Sequence, residues 1–273
     1  MASDGAFLDR IPGVALARSY RRQDLTRDLT AGVVLTTMLV PQGMAYAELT
    51  GLPPETGLYT TIAALVAYAV FGRNRVLVLG PDSSLAPIIA AVVLPLAGGD
   101  AASAVLLASA LSLITGLVCL LAGLARLGVV TELLSKPVRI GYLNGIAVVV
   151  LISQLPKALG FSIDEESTLS TLVATIQAVL NGETVAAALV ISAASIVIIQ
   201  VARSVWPASP GVLLAVVLSL LAVSLFDLTG VVDTVGPLPP GLPGFVFPAV
   251  DVGDLGPLTV GALALALISF ADT

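Results

Sequence analysis

The chain has 273 residues, 57% of them hydrophobic and only 11% charged, with a mean hydropathy of +1.04, far more apolar than a water-soluble domain of this length, and reads as a polytopic membrane protein. A formal net charge of −6 argues against a nucleic-acid partner, which calls for basic faces. The absence of histidine excludes His-based catalysis, His metal sites and histidine pH switching, and the single cysteine, Cys119, excludes an intrachain disulfide.

Residues 1–28 carry Arg10, Arg18, Arg21, Arg22 and Arg27 among scattered acids and no long apolar core, so they do not read as a cleaved signal peptide. Within them Leu8–Tyr20 fits an interfacial helix or a simple tether. The first apolar segment runs from about Leu29 to Leu49 and is expected to be interrupted at Pro41-Gln42-Gly43. The second, about Gly57–Phe71, follows the Gly51-Leu52-Pro53-Pro54 turn.

The third segment differs in kind. Val76–Leu79 is short, β-branched and apolar, Gly80-Pro81 breaks it, and Asp82-Ser83-Ser84 forms an N-cap cluster before a half-length helix, Ser83–Leu96. If Arg73 and Arg75 mark one membrane face, five or six extended residues at about 3.3 Å each carry the backbone roughly 17–20 Å inward, so the helix starts near the midplane. Unpaired backbone at that depth must face protein or a water-filled cavity. A helix N-terminus there offers N–H groups and partial positive charge, which suit an anion.

Segment four covers Ala101–Leu124 and segment five, after the amphipathic Thr131–Lys136, covers Val138–Leu155. Asp164–Asn181 has the spacing of a surface helix, and segments six and seven are about Thr184–Val205 and Pro210–Leu228. A proline-rich loop, Gly236–Pro248, leads to segment eight, which begins near Leu255. With a cytoplasmic N-terminus and every segment crossing, each Lys and Arg but Lys157 falls in an inner loop, as the positive-inside rule requires. An odd number of crossings, seven, before segment eight is the parity of an inverted-topology repeat, and interrupted segments near the midplane point to a transporter site.

Several polar side chains are candidates for that site. Gln42, beside the helix break, either presents its amide to an oxyanion or satisfies a freed backbone carbonyl. Tyr46, four residues on, shares its face and serves as pocket wall and hydroxyl donor or as an ordinary packing tyrosine. Ser83 and Ser84 cap the helix or donate to substrate. Asp82 places a fixed charge beside an anion site, so it either caps the helix against the dipole or is protonated when the anion binds. Glu48 and Asp272 are intramembrane carboxylates and candidates for ion coupling, although Glu48 is close enough to the Gly51 turn to be interfacial. Asn144 is expected to bridge helices, Gly116, Gly123 and Gly145 to be close-packing positions, and Trp206 to anchor at the interface.

The run Asp28–Gly72, with PQGMAYA, GLPP, GLYT and FG, followed by LGP before segment three, resembles the opening signature of the SulP sulfate-permease family, relatives of solute carrier family 26. Ser269-Phe270-Ala271-Asp272-Thr273 resembles the start of that family's eighth helix. The resemblance implies an all-α polytopic membrane fold of fourteen segments in two inverted repeats, of which this chain holds the first seven and the start of the eighth. It implies a cytoplasmic N-terminal segment (1–28), a core-domain half (29–128), a gate-domain half (129–250) and the first part of segment eight (251–273). It also implies secondary transport of a small anion (sulfate, bicarbonate or a dicarboxylate) in the cytoplasmic membrane, with Gln42, Tyr46, Ser83 and Ser84 at the substrate. Departing from the neutral residue usual in the family, Asp82 joins Glu48 and Asp272 as candidates for H+ or Na+ coupling. No cofactor is implied; the expected partners are the lipid bilayer, a second copy of the chain and a downstream STAS domain. An anion channel or exchanger, or a nucleobase–cation symporter on the same fold, is the alternative. A membrane enzyme is not expected, because the sequence offers no nucleophile with a base and no metal cluster.

Overall fold

The computed structural model describes residues 11–74, 77–125, 136–163, 167–205, 211–244 and 247–272, without the side chains of residues 136, 139, 271 and 272. Arg10, Arg75, Trp206, most of the Thr131–Lys136 stretch and the Asp272 side chain therefore lie outside the described residues. Every regular element among the described residues is helical. The chain divides into two units, residues 1–83 with 239–247, and residues 84–238 with 248–273.

The first unit holds α1 (Pro12–Arg18), α2 (Leu25–Leu49) and α3 (Pro54–Phe71). Pro12 opens α1, a position where its missing N–H costs nothing. A Cβ at Gly13 would run into the Ala69 carbonyl oxygen and lie 2.8 Å from Val70 Cα, so only glycine lets α1 rest on the end of α3. The α2–α3 hairpin closes on glycine as well. A Cβ at Gly57 would collide with the Gly43 carbonyl oxygen and come within 2.6 Å of its carbon, and Ala47 is buried beside it. Two backbones in contact maximise dispersion where no hydrophobic drive exists between helices in lipid.

One expectation is corrected here. The first segment is not broken at Pro41-Gln42-Gly43; α2 runs unbroken for 25 residues with Pro41 inside it. Pro41 removes one N–H from the helix ladder, and a helix packed through the following turn tolerates that loss without ending. Gly43 serves the contact with α3 rather than a break.

The second unit contains α4 (Ala86–Ala97), α5 (Ala101–Leu124), α6 (Lys136–Leu159), α7 (Thr168–Leu180), α8 (Ala186–Val205), α9 (Gly211–Leu225), a 3-10 turn at Leu228–Gly230 and α10 (Leu255–Asp272). Helices α4, α5 and α10 pack together around Val93, Leu111, Leu258 and Ala262, none more than 1% exposed. The half-length third segment is thus present: α4 has 12 residues, about 18 Å, against a hydrocarbon core of roughly 30 Å. Gly98, left-handed at φ 57, ends α4, and Asp100 caps α5 by accepting the Ser103 amide at 2.8 Å. Its hydrogen bonding to Ser103 holds the Asp100 carboxyl below the usual carboxylate range.

Helix α6 continues through Pro156 to Leu159, longer than expected, and its last carbonyl accepts the Val185 amide at 2.9 Å ahead of α8. Helices α8 and α9 meet through small residues, with Gly211 against Ala202 and a 3.1 Å hydroxyl pair between Ser195 and Ser219. Helix α7 buries Thr171, Thr175 and Ala178 and leaves Leu169, Val173, Ile176 and Leu180 exposed. Two smaller expectations are corrected. A Cβ at Gly116, Gly123 or Gly145 would meet nothing within 4 Å among the described residues, because the close crossings fall at Gly13, Gly57 and Gly261 instead. Asn144 is exposed and bridges no helices among the described residues, since its position on α6 points away from the neighbouring helices.

By length and composition, Leu25–Leu49, Ala101–Leu124, Ile140–Leu159 and Ala186–Val205 are long and apolar enough to cross a bilayer. Ala86–Ala97, Thr168–Leu180, Gly211–Leu225 and Leu255–Phe270 are shorter apolar helices.

Candidate functional site

In the first unit, the polar residues gather where α2 meets irregular backbone. Residues 77–82 carry no regular secondary structure, and a Cβ at Gly80 would lie 3.0 Å from Leu39 Cδ2, so this segment runs close against α2. Gln42 lies past the centre of α2, seven residues before its end at Leu49 and so about 10 Å from that end along the axis. Its Nε2 donates to the Tyr46 hydroxyl at 3.2 Å and, at the long limit of a hydrogen bond, to the Pro81 carbonyl at 3.5 Å. The helical spacing of four residues puts the amide and phenol on one face, as expected from sequence. Among the described residues, Tyr46 donates to no protein acceptor. One amide of Gln42 thus supports a backbone carbonyl freed from regular structure and also holds a phenol in place.

In the second unit, the chain enters α4 through a turn that ends at Leu85. The expected side-chain cap at the first residue of this helix is corrected: Leu85 holds the cap position, its carbonyl accepts the Ile88 and Ile89 amides, and no side-chain cap bond forms there. The leucine side chain has no oxygen to offer, and Pro87 in the first turn lacks one of the N–H groups a cap would bind. Ser84 is buried at 3% exposure, and its carbonyl accepts a hydrogen bond from Tyr142 of α6 at 3.1 Å.

The structure therefore brings Gln42 and Tyr46 together and puts Ser83 and Ser84 in the turn before α4. Asp82 is exposed in the same approach, while Glu48 is partly buried in the last turn of α2, away from Gln42 by more than one helical turn. Asp272 is the last residue of α10. Tyr142 had no signal in the sequence, because its partner is 58 residues away and its neighbours read as an ordinary spanning helix.

Long apolar helices beside a short one launched from irregular backbone are the build of a polytopic membrane transporter. Residues 25–273 match the model of the sulfate permease family, and the chain belongs to that family, whose members here are transporters and not enzymes. It is 40% identical over 264 residues to a probable sulfate transporter of Mycobacterium tuberculosis (strain CDC 1551 / Oshkosh), covering 96% of this chain and 46% of that protein. Its fold is similar to the murine solute carrier 26 family member A9 anion transporter in the inward-facing state, with a TM-score of 0.84 at 23% identity over 98% of this chain and 48% of that one. It is also similar to the transmembrane domain of a cyanobacterium bicarbonate transporter, BicA, with a TM-score of 0.75 at 23% identity over 91% of this chain and 64% of that one. The chain spans about half the length of the curated relatives it matches.

Proposed function

We propose that the complete protein is a secondary active transporter of a small anion, sulfate, bicarbonate or a dicarboxylate, and that this chain is its first inverted repeat of seven segments. Gln42, Tyr46, Ser83 and Ser84 contribute to anion recognition, and Glu48, Asp82 or Asp272 carries a coupled H+ or Na+. The N-terminus lies in the cytoplasm of a plasma or inner membrane, residues 29–128 belong to a core half and 129–250 to a gate half. The complete protein is a homodimer with a STAS domain, as the family resemblance implies. The observation that carries the reading is the Gln42 amide set between Tyr46 Oη and the Pro81 carbonyl, inside an apolar helix and about two turns from its end. Polar groups are kept there at a desolvation cost, which in membrane proteins marks a solute path.

The test is uptake of radiolabelled sulfate, bicarbonate and fumarate by proteoliposomes holding the complete protein, with and without imposed H+ and Na+ gradients. Saturable uptake of at least one anion is expected, with Gln42→Leu lowering it by about tenfold or more. Accumulation of none of the three overturns the reading. Full gradient-driven uptake by both Glu48→Gln and Asp272→Asn refutes coupling through those two carboxylates.

A further inference from the structure

The start of α4 is held by its backbone, with the Leu85 carbonyl accepting the Ile88 and Ile89 amides. No side chain caps it at Leu85, and Pro87 removes a donor from its first turn. A further hold on its approach comes from elsewhere in the second unit. Helices α4, α5 and α10 form one packed group, whereas α6 packs on α7 and α8, and α8 on α9. The hydrogen bond from Tyr142 Oη of α6 to the Ser84 carbonyl links the second group to the approach of the first.

That carbonyl belongs to the peptide plane immediately before the cap residue. A trans peptide is rigid, so holding the Ser84 oxygen also sets the direction of the Leu85 N–H on the opposite edge. Because Ser84 is buried, water competes little for the oxygen. Helix dipole and amides act on an anion only along the direction they are aimed.

We infer that Tyr142 is a positioning residue for the anion site: without touching the solute, it sets the orientation in which the start of α4 is presented. This rests on the transporter reading above. A single hydrogen bond of this kind contributes on the order of 0.5–1.5 kcal/mol, equivalent to about a 2- to 10-fold change in affinity. Tyr142→Phe keeps the ring and removes the hydroxyl that makes the bond.

The experiment measures initial uptake rates against concentration of radiolabelled sulfate, bicarbonate and fumarate, for the complete wild-type protein and Tyr142→Phe in proteoliposomes. The expected result is a KM about 2- to 10-fold higher with Vmax within about twofold of wild type. Anion-dependent thermal stabilisation in detergent, which needs no flux, is expected to demand correspondingly more anion. An unchanged KM and unchanged anion requirement, even with a lower unfolding temperature, overturns the inference and leaves Tyr142 a packing residue. A wild type that accumulates none of the anions overturns the transporter reading instead, and this inference with it.

Discussion

Tyr46 and Gln42 divide one job between them. The amide holds both the phenol and the Pro81 carbonyl, so the two side chains are not equivalent targets. Tyr46→Phe leaves the Pro81 contact standing and is expected to raise KM by about 2- to 10-fold. Gln42→Leu frees the phenol and the carbonyl together, and an orphaned polar group in an apolar setting costs roughly 1–3 kcal/mol, so its unfolding temperature is expected to fall as well. Uptake kinetics and thermal unfolding of both variants check that order; equal effects would contradict it. From sequence, Gln42 is a candidate both for facing an oxyanion and for satisfying a freed carbonyl, and its amide lies 3.5 Å from the Pro81 carbonyl. That carbonyl is 39 residues away, which local pattern does not reach.

At the scale of elements, the α2–α3 hairpin depends on backbone contact. Gly57→Val would drive a branched side chain into the Gly43 carbonyl, where no flexible group can yield, so a loss beyond the roughly 1–3 kcal/mol usual for overpacking is expected. On the same helix as Gly43, Gly32 has nothing within 4 Å of an added Cβ, and Gly32→Ala is expected to stay within about 0.5 kcal/mol or to stabilise. Thermal unfolding in one detergent compares the two. The α5 cap gives a pH prediction. Because folding depresses the Asp100 carboxyl through its bonds to Ser103, its contribution is present above the unfolded carboxylate pKa and is lost as pH falls through the lower folded value. Protection of the Ser103 amide against exchange, taken relative to the intrinsic rate at each pH, is expected to fall in that acid range, and Asp100→Asn to remove the dependence. The expected break in α2, absent from the structure, shows what sequence leaves open. Proline reports a missing donor, and whether the helix ends there depends on the packing around it; here Gly43 and Ala47, one turn on, are clamped against α3.

Over the whole molecule, membrane class and helix positions were legible because apolar length and breakers are local signals: Ala101–Leu124 is the same in both readings, and α4 is short as expected. Which faces meet was not legible, because hydrophobicity alone does not tell a lipid-facing side from a protein-facing one. Gly116 and Gly123 read as crossing points and have open space, whereas Gly261, unremarked in the sequence, would place a Cβ 2.7 Å from Val92 Cγ2. Helix α7 carries the same ambiguity. A spin label at Val173 or Ile176 is expected to be accessible to oxygen and shielded from a water-soluble relaxer, and one at Thr175 to be shielded from both; labels at all three that report equal access would refute the orientation. The hydroxyls of Thr171 and Thr175 each bond a carbonyl one turn back, so this helix turns its polar atoms inward and needs no water to satisfy them. With oxygen access at Val173 and Ile176, the medium is a structural component on that side. Acyl-chain length and detergent head size become variables of folding, and purification conditions for this protein amount to a choice of its outermost layer.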